Sequence, residues 1–256
     1  MTKQLMHALS RTAALVCLAA AGCGGHAAKS AGAGTSGGTA EKMPALARQG
    51  RFVFDETPKY AASYTGNTLS CGDCHIGSGT AAYAAPMIDM AGLFPMYNKR
   101  AGHVISLKNR IQECFTRSEA GTPPPLDSPQ MLELVAYIDW LSRDGVKGKA
   151  YAGRGFKKIP VLKGDPVAGK KVYAGQCAAC HGTNGAGVPP ILPALWGEGS
   201  YNDGAGMNNP DKMAAFVHEN MPQNHPGTLT VQQAYDVAAY VHTKPRQKFN
   251  EAYKHY

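Results

Sequence analysis

The sequence predicts an all-α protein made of two similar helical domains in tandem. A Cys-x-x-Cys-His motif ends at His75 and again at His181, 106 residues later. A helical pattern containing an alanine-tyrosine pair occurs at Tyr137 and again at Tyr240, 103 residues apart. Thirty glycines and 17 prolines in 256 residues predict many loops rather than long bundled helices. Together these observations indicate two copies of one small helical unit.

Helix-start signals support the first copy. Ser128 is suited to cap a helix and Pro129 to occupy its first position. Leu132, Val135 and Ile138 then form an apolar stripe that ends near Leu141. We therefore predict a helix from Pro129 to about Leu141.

The second copy carries matching signals. Thr230 and Gln233 form a capping box at the start of a helix that we expect to run to residue 242. Asp165 precedes Pro166 and is expected to cap a helix that runs toward Cys177. Each copy is therefore predicted to pack its helices around its cysteine motif.

Charge and hydropathy exclude several classes of protein. The formal net charge is +8, yet no dense Lys/Arg run of the kind that follows a nucleic-acid backbone is present. No apolar stretch reaches the roughly 18 to 20 residues of a membrane-spanning helix. These properties argue against a nucleic-acid binder, an integral membrane protein and a coiled coil.

The first 22 residues are typical of an export signal. Lys3 and Arg11 supply positive charge, and residues 12–21 form a short apolar core. Small residues then precede Cys23, which resembles the cleavage site of a bacterial lipoprotein. An ordinary secretory signal with an incidental cysteine is the alternative.

The sequence divides into five parts. We assign residues 1–22 to the signal and 23–42 to a flexible tether with a possible lipid anchor at Cys23. The predicted N-terminal domain covers 43–150, a linker covers 151–164, and the C-terminal domain covers 165–256.

The cysteine spacing predicts covalent haem attachment. An exported chain with seven cysteines first suggests disulfides, but four of the cysteines fall into Cys-x-x-Cys-His motifs. Two thiols at this spacing add to the vinyl groups of one porphyrin, and the adjacent imidazole binds the iron. A structural zinc site and a thioredoxin-like redox pair are the alternatives. We expect one haem c at Cys71, Cys74 and His75.

A second haem c is expected at Cys177, Cys180 and His181. The predicted helices before this motif and at 230–242 resemble the N-terminal and C-terminal helices of class I cytochromes c. The fold class is therefore predicted to be two class I cytochrome c-like haem domains.

The opposite axial ligand of the second haem is predicted to be Met221. Met221-Pro222 lies 40 residues after His181, shortly before the last helix, and resembles the ligand loop of class I cytochromes c. Met207 is the main alternative, and the other candidates are Met213, His218 and His225. A methionine at any of these positions also has a simple packing interpretation.

The first haem has more than one candidate ligand. Met87, Met90 and Met96 are available. Cys114 is a further candidate, because it lies outside both Cys-x-x-Cys-His motifs and needs another explanation. Arg110 and Arg117 flank Cys114 in the sequence, and cationic surroundings favour the thiolate that binds iron. A buried free thiol is the simpler alternative for Cys114.

A wider set of residues resembles one known family. The sequence is similar to the dihaem thiosulfate dehydrogenase/tetrathionate reductase family over roughly residues 48–245. The matching positions are Arg100, Arg110, Cys114, Ser118, Val135–Leu141, Leu195-Trp196-Gly197, Tyr201–Met207 and Asn220-Met221-Pro222.

The resemblance implies a division of labour between the haems. It implies that the first haem is catalytic and ligated by His75 and Cys114, with Arg100 and Arg110 binding substrate and Ser118 nearby. Either arginine could instead pair with a haem propionate. The implied reaction converts two thiosulfate ions into tetrathionate and two electrons, or the reverse.

The second haem is implied to be an electron relay. His181 and Met221 are its implied ligands. Some members of the family carry a lysine directly before this methionine, but this sequence has Asn220, so no lysine switch is expected. A small cytochrome c or a similar redox protein is the expected partner, in the periplasm.

Two further functions remain open from the sequence. A plain dihaem electron carrier would leave Cys114 as a buried thiol and would catalyse nothing. The cysteine-ligated haem subunit of the multienzyme sulfur-oxidation system shares the cysteine ligand, but the long match in the second domain argues against it.

Overall fold

The computed structural model describes residues 42–255. The predicted signal and all of the predicted tether except residue 42 lie outside the described residues. No helix within 42–255 has the length and apolar character needed to cross a membrane.

Six helices of 11 to 13 residues form two sets of three, and a hairpin of two strands is described beside them. The long helices are α1 (Ala45–Asp55), α2 (Leu107–Arg117), α3 (Pro129–Leu141), α4 (Pro166–Gln176), α5 (Pro210–Asn220) and α6 (Val231–His242). One-turn helices cover Thr57–Tyr60, Cys71–Cys74, Ile76–Gly79 and Ala178–His181. Three-residue 3-10 turns cover Ala62–Tyr64, Ala91–Leu93, Gly206–Asn208 and Glu251–Tyr253. The strands are β1 (Met96–Asn98) and β2 (His103–Ile105), which pair antiparallel.

The predicted helix starts are confirmed. Ser128 Oγ accepts a hydrogen bond from the amide of Met131, and α3 begins at Pro129. Asp165 caps α4 through the amide of Val167. These caps satisfy amides that the first turn of a helix leaves without partners.

The capping box at the start of α6 is also confirmed. The side chain of Thr230 accepts from the amide of Gln233, and the Gln233 side chain accepts from the amide of Thr230. The all-α prediction is correct, and the short hairpin before α2 is an addition that the sequence patterns did not predict.

Both domains use the same close helix crossing. In the first, Gly50 of α1 lies against the carbonyl of Glu133 and the Cβ of Tyr137 in α3. In the second, Gly169 of α4 lies against the carbonyl of Asp236 in α6. A glycine at the crossing lets the two backbones approach more closely than any side chain would allow.

Aromatic side chains extend each crossing toward the cysteine motif. The Phe54 and Tyr137 rings meet edge to face with centroids 5.5 Å apart. Tyr173 lies 5.1 Å from Trp196 and 5.4 Å from Tyr240, measured between ring centroids. These rings supply much of the apolar contact in domains with few other large side chains.

The two domains are joined by direct hydrogen bonds as well as by the linker. Asn202 Nδ2 donates to the carbonyl of Thr116 at 2.8 Å, and the Asn202 amide donates to the carbonyl of Arg117 at 3.2 Å. Both carbonyls belong to the last turn of α2, where helix carbonyls lack partners of their own. A loop of the second domain therefore caps a helix of the first.

The segment assigned as linker, 151–164, contains no helix or strand and packs on both domains. The carbonyls of Gly153 and Gly155 accept from the amides of Tyr83 and Ala85 at 2.7 and 2.9 Å. Lys157 Nζ lies 2.9 Å from a carboxylate oxygen of Glu219 in α5. The segment is held in place on the first domain and pairs with the second.

The crossing in the second domain predicts opposite effects for two substitutions in one helix. Gly169→Ala places a methyl group into the backbone of α6 and should lower the free energy of unfolding by about 1–3 kcal/mol. Gly175→Ala, also in α4, meets no atom within 4 Å and should leave stability unchanged or raise it by up to about 1 kcal/mol. Thermal and denaturant unfolding of the holoprotein compare them, and equal destabilisation by both would contradict this account.

Candidate functional site

A cavity of about 640 Å³ lies in the first domain. It contains Cys71, Cys74 and His75 of the first motif, together with Cys114 and Arg110 of α2. Most of the remaining lining is apolar and comes from α1, α2, α3 and the segment before β1. The apolar lining includes Phe54, Met87, Met90, Phe94, Ile111 and Leu134.

The first motif is held by a one-turn helix with a capping box. Ser70 and Asp73 exchange side-chain and backbone bonds at the start of this turn. The Thr57 hydroxyl accepts from the amide of Cys71 at 3.1 Å and so joins the turn to the segment after α1. Both thiols therefore enter the cavity from a fixed backbone.

The His75 ring is oriented by its own side-chain contact. Its Nδ1 lies 2.6 Å from the carbonyl of Ala85, which leaves Nε2 available toward the cavity. Burial lowers the pKa of His75 to about 4, so the ring is neutral. A neutral imidazole whose second nitrogen bonds a carbonyl is the form that binds a metal.

Cys114 lies one turn after Arg110 on the face of α2 that lines the cavity. Arg110 Nη1 lies 3.2 Å from Cys114 Sγ. The positive charges of Arg110 and Arg100 pull the pKa of the Cys114 thiol downward, but burial together with Glu113 and Glu119 raises it overall. Arg110 therefore favours the thiolate, as expected. Burial and the two carboxylates outweigh it, so the pKa of the Cys114 thiol is raised overall.

The assignment of Arg117 to the Cys114 environment was wrong. Arg117 Nη1 donates to the carbonyl of Gly204 at 3.4 Å, and its guanidinium lies 4.0 Å from the centroid of the Phe249 ring. Arg117 is three residues from Cys114, and its side chain packs on the second domain instead. It positions α2 rather than contacting the thiol.

The structure brings three of the predicted catalytic residues into one cavity. Arg110, Cys114 and Ser118 all line it, on successive turns of α2 and at its end. Arg100 lies in the turn between β1 and β2, with its amide bonded to the side chain of Asn98 at 2.9 Å. It is not among the cavity-lining residues, and it acts on Cys114 through its charge.

Met87 and Met90 line the same cavity as Cys114, so both remain geometrically available beside the thiol. Met96 lies in β1 and outside the lining. The contact with Arg110 distinguishes Cys114 from the two methionines.

Several residues of the site could not be found from the sequence. Glu119 is 2% exposed and lines the cavity, and its Oε2 has no hydrogen-bond partner among the described residues. Burial raises its pKa well above the usual range for a carboxyl. Arg154 and Phe156 of the linker and Lys212 of α5 also line the cavity. Only Lys212 carried a local signal, since cations are disfavoured in the first turn of a helix.

The second motif repeats the arrangement of the first. His181 Nδ1 lies 2.9 Å from the carbonyl of Pro193, and the corresponding contact of His75 with the carbonyl of Ala85 measures 2.6 Å. Cys177 packs against the aromatic cluster that contains Tyr173. The second domain therefore presents the same donor set as the first.

The candidate ligands of the second domain occupy different environments. Met213 is 6% exposed in the core, and Met207 packs against the same core. Met221 is half-buried and is itself the residue that caps the C-terminus of α5. His218 Nδ1 bonds the carbonyl of Leu229 at 2.8 Å, which gives His218 a packing role.

The residues of both motifs fit a covalent haem. Each places two cysteines and a histidine on one turn, with the histidine held by a carbonyl and Nε2 left for iron. The first also has a mainly apolar cavity, within the size range of cofactor sites.

Family models match both domains. The model described as SoxA/TsdA, cytochrome c domain, matches residues 58–146, and the cytochrome c model matches residues 166–244. The zinc and thioredoxin-like alternatives are thereby set aside.

Curated relatives match across both domains. The chain is 41% identical over 207 residues to a thiosulfate dehydrogenase of Stutzerimonas stutzeri, covering 78% of this chain and 67% of the relative. It is 38% identical over 213 residues to a thiosulfate dehydrogenase of Allochromatium vinosum, covering 79% of each.

A solved structure shows the same fold. It is a thiosulfate dehydrogenase (TsdBA) from Marichromatium purpuratum, with 34% identity and a TM-score of 0.73. The match covers 77% of this chain and 45% of the solved chain, so less than half of the solved chain is matched. The chain therefore belongs to the thiosulfate dehydrogenase family of dihaem cytochromes, which carry two covalently bound haem c groups.

Proposed function

We propose that this protein interconverts thiosulfate and tetrathionate at the cavity of the first domain. The observation that carries the proposal is the contact of Arg110 with Cys114 inside the cavity that also holds His75. A plain electron carrier has no need of a cationic group bonded to a thiol beside its haem site. The thiosulfate dehydrogenase relatives support the same reaction.

Positive charge is the first requirement of this reaction. Thiosulfate and tetrathionate are both dianions, so bringing two thiosulfates together costs electrostatic repulsion. Arg110 and Arg100 offset this repulsion, because guanidinium groups suit sulfonate oxygens and keep their charge at any working pH. Ser118, in the same cavity, offers a hydroxyl to the same oxygens.

Cys114 supplies the second requirement, a sulfur nucleophile. In the direction of tetrathionate reduction, the Cys114 thiolate attacks the central sulfur–sulfur bond, joins one half to itself and releases the other as thiosulfate. Two electrons and no further atoms then return the cysteinyl thiosulfate to thiolate and a second thiosulfate. Thiosulfate oxidation runs the same steps backward. The bound haems supply this chemistry with two one-electron carriers.

The proposed electron path runs through the second domain. We propose that His75 and, when it carries no substrate sulfur, Cys114 would hold the first iron, and that His181 and Met221 would hold the second. The thiolate lowers the potential of the first iron relative to a thioether ligand. The support for Met221 is its place at the end of α5, the helix that corresponds to α2.

Replacement of Cys114 tests the catalytic proposal. Cys114→Ala should abolish thiosulfate-dependent ferricyanide reduction and should remove a low-spin, thiolate-type EPR signal from the oxidised protein. Met90→Leu is the matched control, because Met90 lines the same cavity and should leave both signal and turnover in place. An unchanged spectrum in Cys114→Ala, with no turnover in the wild type either, would identify a plain electron carrier.

Replacement of Arg110 tests the anion-binding role. Arg110→Gln should lower kcat/KM for thiosulfate by about 30-fold, since a charge-assisted contact is lost. Redox titration distinguishes this role from an ion pair between Arg110 and a haem propionate. A changed potential of the first haem with an unchanged KM for thiosulfate would assign Arg110 to the propionate. Arg143→Gln removes an exposed cation outside the cavity and should change neither quantity.

We also propose export to the periplasm, attachment to a membrane through a lipid on Cys23, and electron exchange with a small cytochrome c or similar protein. The support is the sequence of residues 1–23 and the tether that follows. The reaction direction depends on the potential of that partner.

The lipid anchor has a direct test. Cys23→Ala should move the haem-stained protein from the membrane fraction to the soluble periplasmic fraction, because the lipidated residue is lost. Cys17→Ala lies in the proposed signal and should leave the distribution unchanged. Soluble protein in the wild type would contradict the anchor.

A further inference from the structure

Lys212 is a residue of the second domain that lines the cavity of the first. It lies in the first turn of α5, two residues after Pro210. Its neighbours in the cavity lining include Arg110, Cys114 and Ser118. None of the residues predicted from the sequence to handle substrate comes from the second domain.

Lys212 also lines a second recess. A surface recess of about 310 Å³ is lined by Lys157, Lys158, Asp211 and Lys212, and Phe156 lines both it and the cavity. Lys212 and Phe156 therefore stand where the recess and the cavity adjoin. The recess has three lysines and one carboxylate in its lining, and because Lys157 is paired with Glu219, a net charge of +1 remains to attract anions.

The charge of Lys212 is not neutralised within residues 42–255. Its ammonium group makes no ion pair and no hydrogen bond there, and its backbone amide donates to Asn209 Oδ1 at 3.0 Å. The adjacent carboxylate, Asp211, instead accepts the Tyr235 hydroxyl at 3.2 Å. Partial burial, and then the charges of Arg100 and Arg110, lower the pKa of Lys212.

The placement opposes two local electrostatic preferences, although Lys212 is an exposed residue. A lysine in the first turn of a helix opposes the helix dipole, and this one lines the same cavity as Arg110 of the other domain. A dianion between these groups would remove both penalties. Tetrathionate has a sulfonate at each end, and two thiosulfates present the same pair of charged groups.

We propose that Lys212 binds the sulfonate that is remote from Arg110, so that each haem domain supplies a cation to one substrate site. This inference deepens the proposed function and rests on it for the identity of the anion. Lys212 acts as a specificity-determining residue for paired sulfonates, and the site is complete only when both domains are docked.

Steady-state kinetics of three variants of the dihaem protein test this inference. Lys212→Gln should raise KM for thiosulfate about tenfold with kcat within about twofold, while Lys212→Arg should restore KM to near the wild-type value. Lys158→Gln is the matched control: it lies in the recess but outside the cavity and should raise KM less than about twofold at physiological salt. Redox titrations should give unchanged potentials for both haems in Lys212→Gln. An unchanged KM, or a shifted first-haem potential with an unchanged KM, would overturn the proposal.

Equilibrium binding separates this inference from the reaction itself. In oxidised Cys114→Ala protein, tetrathionate meets neither a thiolate nor a donor of electrons, so calorimetry measures binding alone. Adding Lys212→Gln should weaken tetrathionate binding about tenfold. That result in a protein whose wild type does not turn over thiosulfate would refute the proposed function and keep Lys212 as an anion-binding residue. Equal affinities with and without Lys212 would refute the residue's role whatever the turnover.

Discussion

The contact between Arg110 and Cys114 is the interaction on which the site depends. Arg110 Nη1 lies 3.2 Å from Cys114 Sγ, and a carboxylate oxygen of Glu113 lies 3.5 Å from the same Nη1. Glu113 is 2% exposed and also accepts from Asn98 Nδ2 at 2.7 Å, at the end of β1. The buried carboxylate of Glu113 thus positions the Arg110 guanidinium that contacts Cys114. Through Asn98 the same carboxylate joins α2 to the hairpin that carries Arg100. The surplus of positive charge that remains is what a sulfonate can neutralise.

The internal repeat relates the ends of two helices. The residue that caps the C-terminus is Ser118 in α2 and Met221 in α5, 103 residues later, which is also the spacing of Tyr137 and Tyr240. Ser118 therefore occupies in the first domain the place that Met221 has in the second. Cys114 lies one helical turn before Ser118, and the Ser118 amide donates to the Cys114 carbonyl at 2.7 Å. The candidate sulfur ligand of the first domain therefore lies one turn earlier, within a helix whose start is capped by Ser106 and whose last turn is bonded by Asn202.

The sequence predicted those parts of the fold that depend on interactions between residues close together in the chain. Caps at Ser128, Asp165 and Thr230 depend on residues within three positions of each other, and all three are as predicted. The Cys-x-x-Cys-His motif is likewise a feature of one turn. The hairpin β1–β2 has only three residues in each strand, too few for an alternating pattern to show.

Features that depend on tertiary packing were beyond the sequence. The sequence neighbours of Cys114 suggested a thiol surrounded by cations, yet Arg117 turns toward Phe249, and burial outweighs Arg110 in setting the thiol pKa. Neither outcome is visible in residue types, because desolvation depends on what the rest of the chain places around a group. Lys212 is missed for the same reason: it is 98 residues from Cys114 in the sequence and lines the same cavity.

The docking of the two domains has a chemical consequence beyond electron transfer. Asn202 bonds the carbonyls of Thr116 and Arg117 at the end of α2, shortly after Cys114, and so the second domain helps to fix the helix that carries the thiol. Helix α5 of the same domain brings Lys212 to the cavity. A separate first domain would retain its cysteine motif and Cys114 but would lose a helix cap and a cation of the site. The tandem arrangement is therefore a condition for the site and not only a means of placing two haems in one chain.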